Sequence, residues 1–307
     1  MAKHFLVTGA TGKQGGAVID ALLSSSQNAT IFALTRNTQS KSAQALALKA
    51  PDQVKLLPGD LKECSAIFSS VAVPIDGVFC VSIPAWGFRA DPNAEEAQGR
   101  ALIDAAIAHG VRHFVYTSVD RHGSDSDENT TDVPHFISKA NIEKHLIARS
   151  RTSQMSWSIL RPTAFMDNIV PGFAGKIFPT AWKVGLSPGT KLQLVSTADI
   201  GYFGAQALLR PTEYASRAIS LAGDELTFEE ANAIFVRGVG HDVPQTFAFL
   251  GRLLLWVVKD VGLMFKFFEE VGYSANIEEL RGEYPGLRSL EDWLQTSEYA
   301  PNAKKTS

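Results

Sequence analysis

Gly9-Ala10-Thr11-Gly12-Lys13-Gln14-Gly15-Gly16 decides how this chain is read. Before it runs His4-Phe5-Leu6-Val7-Thr8, short, apolar and partly β-branched, which predicts a buried strand. After it, Ala17-Val18-Ile19-Asp20-Ala21-Leu22-Leu23 repeats apolar residues at helical spacing with no proline. The glycines therefore stand on a strand-to-helix turn. Gly9 permits the sharp turn, Gly12 lets backbone approach a ligand, and Gly15 lets the helix pack close to the strand. The first helical turn aims unpaired N–H groups and the positive dipole end at whatever sits there, and a pyrophosphate fits. The spacing is G-x-x-G-x-x-G rather than G-x-G-x-x-G, so the motif alone leaves open a glycine turn that binds nothing.

The next strand narrows the reading. Thr30-Ile31-Phe32-Ala33-Leu34-Thr35 ends in Arg36-Asn37. An acidic residue at that point would hold a ribose 2′-hydroxyl. Arg36 instead can fork onto a 2′-phosphate, with Lys13 of the glycine loop in support, and this favours NADP(H) over NAD(H). A solvated arginine at a strand end is the plain alternative.

The chain has 307 residues, 45% apolar and 20% charged, enough for a large core in one compound domain or two. A net charge of −3 gives no broad attraction to nucleic acid or anionic lipid, so no direct nucleic-acid or membrane partner is expected. Two cysteines, Cys64 and Cys80, fit a reducing compartment and form no zinc set; Cys80 reads as core and Cys64 as the more accessible. The N-terminus runs straight into a strand, which predicts no signal peptide and a cytoplasmic, or also nuclear, location. The apolar stretch from Phe247 to Phe268 is interrupted by Arg252, Lys259, Asp260 and Lys266, which favours a buried or oligomer-facing helix over a membrane span. His113, His122, His145 and His241 are scattered, so no metal site is expected.

Further strands are predicted at 54–57, 75–81, 111–118 and 157–160, with helices over about 93–109, stopped by Gly110, and 134–149, capped by Asp132. The polar stretch from Gly123 to Asp132 reads as a mobile loop. Strands alternating with helices predict an α/β fold, a doubly wound parallel sheet of Rossmann type, with a smaller, mostly helical C-terminal substrate domain. Gly12, Arg36, Asp60, Ser82, Ser118 and Pro162 fall at or just beyond strand ends, where ligands of such sheets bind. After Pro162 the alternation stops, and Phe165 to Thr190 carries no long regular element. Its Phe173, Phe178, Trp182 and Leu186 are candidates to line an apolar pocket. Residues 192–197 and 217–221 read as strands, Asp199 as the cap of a helix to Leu209, and Thr227 with Glu230 as a capping box. The expected division is 1–162 for the dinucleotide domain, with 192–222 returning to it, 163–191 and 223–300 for the lid and substrate part, and a frayed tail at 301–307.

These residues resemble the NmrA-like branch of the atypical short-chain dehydrogenase/reductase superfamily. The likeness rests on the glycine run, Arg36, Gly59-Asp60-Leu61, the stretch His135 to Glu143 with Lys139, Leu160 to Asn168, and Ser196 to Gly201, in that order. It implies a Rossmann domain binding NADP(H), or NAD(H), with cofactor contacts at Gly9, Thr11, Gly12, Lys13, Gln14, Gly15, Arg36, Asp60, Leu61, Ser82, Ile83, Lys139, Pro162 and Phe165. The family holds two kinds of protein. Some resemble isoflavone and phenylcoumaran benzylic ether reductases, with a lysine as the main acid/base group. Others are dinucleotide-sensing regulators that act through a protein partner. The superfamily's usual pair is Tyr-x-x-x-Lys; here Lys139 stands in the lysine place and His135 in the tyrosine place, so these two are the candidate catalytic residues. The expected function is NADPH-dependent hydride transfer to a small apolar carbonyl or enone, with a redox sensor as the alternative and the oligomeric state open.

Overall fold

The computed structural model describes residues 3–25, 28–82, 93–129 and 131–300, so Ile83 and the tail 301–307 lie outside the described residues. In chain order the elements begin β1 (Lys3–Val7), α1 (Lys13–Ser25), β2 (Ala29–Thr35), α2 (Lys41–Lys49), β3 (Val54–Pro58), α3 (Cys64–Ser69), β4 (Gly77–Val81) and α4 (Ala94–Ala108). They continue β5 (His113–Thr117), α5 (Pro134–Ser150), β6 (Ser156–Pro162), β7 (Ala164–Phe165), α6 (Ile177–Gly185), β8 (Leu192–Val195), α7 (Thr197–Leu209) and α8 (Pro211–Tyr214). Last come β9 (Arg217–Leu221), β10 (Asp224–Leu226), α9 (Phe228–Val239), α10 (Ala248–Val257), α11 (Lys259–Glu270), α12 (Ile277–Glu283) and α13 (Leu290–Thr296). Seven strands form one sheet in the order β3-β2-β1-β4-β5-β6-β9. β1 pairs in parallel with both β2 and β4, so the strand order reverses there. The α/β doubly wound reading of the sequence therefore holds.

The described chain makes two units. The first draws on residues 1–119, 137–161 and 200–219, the second on 120–136, 162–199 and 220–307. In the first unit, β4 and β5 are buried along their whole length, as strands covered on both faces must be. On one face Val78, Cys80, Phe114, Tyr116 and Ile159 join Leu102, Ile103 and Ala106 of α4 and Ile142 and Leu146 of α5 in one cluster. On α1, Val18, Ile19 and Leu22 are buried. α7 returns to this unit and meets α1 backbone to backbone: a Cβ on Gly201 would stand 2.5 Å from the Ala17 carbonyl oxygen. α4 ends at His109, and Gly110 takes the left-handed φ of 73° that the expected stop requires.

The second unit carries a three-stranded sheet, β10-β8-β7, and most of the later helices. Thr227 and Glu230 form the expected capping box of α9. The expected mobile loop is corrected in its first part. Residues Gly123–Asp127 form a 3-10 turn, entered through left-handed His122 and Gly123. The buried Asp120 carboxylate organises it, accepting from the N–H groups of His122, Gly123 and Ser274. A single buried acid three residues beyond β5 thus orders a polar stretch whose composition alone reads as loop.

Three other expectations change. α6 is a regular helix within 165–190. Cys64 is buried like Cys80, and burial pushes the two thiols up to about 11 and about 12. The apolar stretch 247–268 splits at Val258 into α10 and α11, and leaves Phe247, Phe249, Leu253 and Trp256 exposed in the chain rather than buried. No helix among the described residues is long and apolar enough to cross a membrane.

Asp199 is not the cap of α7. It lies in the first turn, where its N–H donates to the Ser196 carbonyl, while the Ser196 hydroxyl accepts from the Ala198 N–H. Burial pushes the Asp199 carboxyl up to about 6, against the opposing pull of the Arg288 N–H and guanidinium. Its folded-state value lies above its unfolded one. Its contribution to stability is therefore fullest below about pH 4 and is lost as pH rises through about 6. Asp199→Asn should melt progressively higher relative to the wild type as pH rises from about 4 to about 7. Melting-temperature differences that stay constant across that window would refute this.

Candidate active site

The glycine loop is built from β1 outward. The Thr8 hydroxyl donates to the Val81 carbonyl at 3.1 Å and accepts from the Val81 N–H at 2.8 Å, which ties the loop entry to the end of β4. Gly9 then turns with φ 57°, and the Gly12 N–H donates to the Gly9 carbonyl at 2.9 Å. A Cβ on Gly15 would stand 2.3 Å from the Gly9 carbonyl oxygen, so only glycine allows α1 to sit this close to β1. Thr11, Gly12 and Lys13 are exposed, and the first turn of α1 carries no acidic residue. The loop thus offers bare backbone and a positive helix end to an anion, and the residues present fit a dinucleotide pyrophosphate. Gln14 is committed inward, its Oε1 accepting from the Thr117 hydroxyl at 2.6 Å.

The second cluster centres on Lys139, buried on α5. Its ammonium donates to Glu95 Oε1 at 2.6 Å and lies 3.3 Å from both the Ser82 carbonyl oxygen and the Ser82 hydroxyl. Ser82 donates to the same Glu95 oxygen at 2.8 Å, and the Ser138 hydroxyl donates to Oε2. Because the Ser82 proton is committed to Glu95, the 3.1 Å contact with Tyr116 is a donation from the Tyr116 hydroxyl. Burial alone would push the Glu95 carboxyl up. The Lys139 ammonium and the donors Lys139, Ser138 and Ser82 outweigh it and hold it below the ordinary carboxylate range. Burial, reinforced by the Glu95 charge, pushes the Tyr116 phenol well above its ordinary value, so Tyr116 stays protonated.

Sequence reasoning missed Glu95. Helical phasing carries the signal: the buried residues of α4 are Glu95, Gly99, Leu102, Ile103 and Ala106, so the core-facing stripe begins on an acid. Its neighbour Glu96 lies off that stripe and pairs with Arg100.

The other predicted residues are distributed as follows. Arg36 is exposed just beyond β2. Asp60, beyond β3, caps a 3-10 turn that begins at Leu61, and accepts from the Lys62 N–H. Ser118 follows β5 and is buried, its N–H donating to the Leu160 carbonyl. Pro162 is the last residue of β6, and Phe165, half-buried, pairs with Val195 across β7 and β8. Arg161 and Glu143, both within the motifs noted above, form a buried forked pair that joins β6 to α5. His135 belongs to the second unit, where Nδ1 lies 2.8 Å from Asp260 Oδ1; the carboxylate can only accept, so Nδ1 donates. The expected apolar lining is corrected in part. Trp182 is fully buried against Phe228 and Leu186 is buried, so both belong to the core of the second unit, while Phe173 is exposed.

A model of the NmrA-like family matches residues 1–300. An NmrA-like family domain-containing oxidoreductase of Penicillium ochrochloron is 24% identical over 305 residues, 94% of this chain and 88% of that protein. Among solved structures, Citrobacter sp. triphenylmethane reductase complexed with NADP(H) aligns at a TM-score of 0.70 and 20% identity, over 98% of this chain and 99% of that one. NmrA, a negative transcriptional regulator, in complex with NAD aligns at 0.68 and 17% identity, over 99% and 96%. At these identities the solved structures establish likeness of fold.

Proposed function

The chain belongs to the NmrA-like family, and we propose that it is an NADPH-dependent oxidoreductase acting on a small, largely apolar carbonyl or enone compound. One observation carries the reading: the glycine loop and the Lys139 ammonium are tied to consecutive residues at the end of β4. Thr8 is bonded to Val81, and Lys139 to Ser82. A nicotinamide dinucleotide held at that loop supplies the hydride. The backbone N–H groups of the turn receive the pyrophosphate, and Arg36 the 2′-phosphate. The Lys139 ammonium opposes the negative charge that develops on the acceptor oxygen, in a place shielded from water. His135, four residues earlier on α5, is the candidate proton donor. The likeness to an NADP(H)-bound triphenylmethane reductase supports an apolar, conjugated acceptor.

A sensor is the rival reading, and one observation favours it. Glu95 sits 2.6 Å from Lys139 and offsets much of its charge. Stopped-flow NADPH oxidation with a panel of ketones, enones and quinones separates the two. At least one acceptor should be reduced in a single turnover; full cofactor occupancy with no oxidation by any acceptor would leave the sensor. Cofactor choice has its own check. The wild type should bind NADPH more tightly than NADH, and Arg36→Ala should narrow that gap by about 1.5–3 kcal/mol. Equal affinities in the wild type would remove Arg36 from the site.

A further inference from the structure

We infer that Glu95 is a positioning residue for Lys139: its carboxylate, on the first turn of α4, fixes where the ammonium stands and how far its charge reaches. The inference rests on the oxidoreductase reading of Lys139. The two side chains are 2% and 11% exposed, so neither charge is met by bulk water. A buried carboxylate without partners would be strongly unfavourable, yet among the described residues the donors to Glu95 are Lys139 itself, its contact Ser82 and its chain neighbour Ser138. Lys139 and Ser82 share Oε1, and Ser138, next to Lys139 on α5, takes Oε2. The long lysine stem, free to choose among many rotamers, is thereby held to one end point.

Tyr116 donates to Ser82, and Ser82, Lys139 and Ser138 donate to Glu95, so the network converges on the carboxylate as its acceptor. Glu95 therefore orients. It also shortens the reach of Lys139. An ammonium beside a carboxylate acts at a distance as a dipole, whose field falls off faster than that of a single charge. An oxygen in contact with the ammonium feels nearly its full effect, while more distant anions feel little. The other titratable groups facing the pair are Tyr116 on β5 and Cys80 on β4; Glu143 on α5, which is committed to Arg161, faces Tyr116.

The test measures single-turnover NADPH oxidation and NADPH affinity across pH for wild type, Glu95→Gln, Lys139→Met and the double variant. Glu95→Gln should slow the step by about tenfold to a hundredfold, as displacing a reacting group by about 1 Å does. NADPH affinity should change less. Removing the anion leaves the ammonium costly to keep, so the alkaline limb of the rate profile should move to lower pH by about one unit or more. In the Lys139→Met background, Glu95→Gln should change neither rate nor profile. A folded Glu95→Gln with wild-type rate and profile overturns the inference, and so does an effect of equal size when Lys139 is absent. If Glu95→Gln does not fold, Ser138→Ala keeps both charges and removes one anchor; it should slow the step roughly threefold, and an unchanged rate overturns the inference. If the wild type oxidises NADPH with no acceptor, the oxidoreductase reading fails by itself. Glu95 is then judged on affinity alone: the pH dependence of NADPH binding must shift in Glu95→Gln only while Lys139 is present, and an unshifted dependence overturns it.

Discussion

Gly15→Ala is expected to lower stability by about 3 kcal/mol, the upper part of the usual range for overpacking, and to abolish dinucleotide binding with it. The added methyl would stand 2.3 Å from the Gly9 carbonyl oxygen and 2.8 Å from that of Thr8. Both are backbone atoms, so no rotamer change relieves the clash. α1 must lift from β1, and Val18, Ile19 and Leu22 lose their packing as it does. For a unit of this size the melting temperature should fall by roughly 6–12 °C. Gly12 behaves differently. A Cβ there would meet the Gly9 oxygen at 3.2 Å and otherwise points at no neighbour, so Gly12→Val should fold and lose only the cofactor. Urea melts and NADPH titrations of both variants decide the matter. A Gly15→Ala protein that melts with the wild type would mean that α1 does not pack on β1 as described.

Lys139→Met should reduce single-turnover oxidation by about 10²–10³-fold, the usual effect of deleting one donor aimed at a developing oxyanion. Cofactor affinity should fall by much less. The variant carries a second effect that must be separated from the first: it leaves Glu95 buried without its cation. Breaking a buried pair from one side destabilises by about 3–5 kcal/mol. The folded Glu95 carboxyl, held low by Lys139 in the wild type, contributes stability above its unfolded value and loses it as pH falls through the lower folded one. Removing Lys139 removes that contribution. Lys139→Met with Glu95→Gln should therefore be more stable than Lys139→Met alone, yet remain as slow. Oxidation that continues at the wild-type rate in either variant would end the lysine-centred mechanism.

The parts of the fold legible in the sequence are those written in short-range pattern. The alternation of apolar runs with helical repeats gave the parallel sheet, Gly9 and Gly15 the first turn, Gly110 the end of α4, and Thr227 with Glu230 the start of α9. The parts that were not legible depend on which distant group a polar side chain meets. Glu95 and Glu96 look alike in sequence, as acids suited to a helix N-terminus, but only Glu95 faces a buried ammonium. Nothing in the local pattern marks Asp120, on which the N–H groups of Gly123 and Ser274 converge. Asp199 has the residue type of a cap, yet it stands inside the first turn, where its partner is Arg288. Trp182 and Leu186 share the composition of a pocket lining and belong to a core instead.

The return of α7 onto α1 bears on how the protein emerges from a ribosome. Gly201 meets the Ala17 backbone, and Gly204 meets Val18 and Phe79, so residues made early are covered by residues made much later. The last strand of the large sheet, β9, begins only at Arg217. While the intervening chain is being synthesised, the nascent sheet keeps an open edge and the surface of α1 at Ala17 and Val18 that α7 will cover stays bare. A stalled or truncated chain that ends near Pro162 would hold the whole glycine loop and still lack its covering helix. Such fragments should be substrates for chaperones and proteases rather than small working dinucleotide binders, because the first unit closes only after most of the chain has been made.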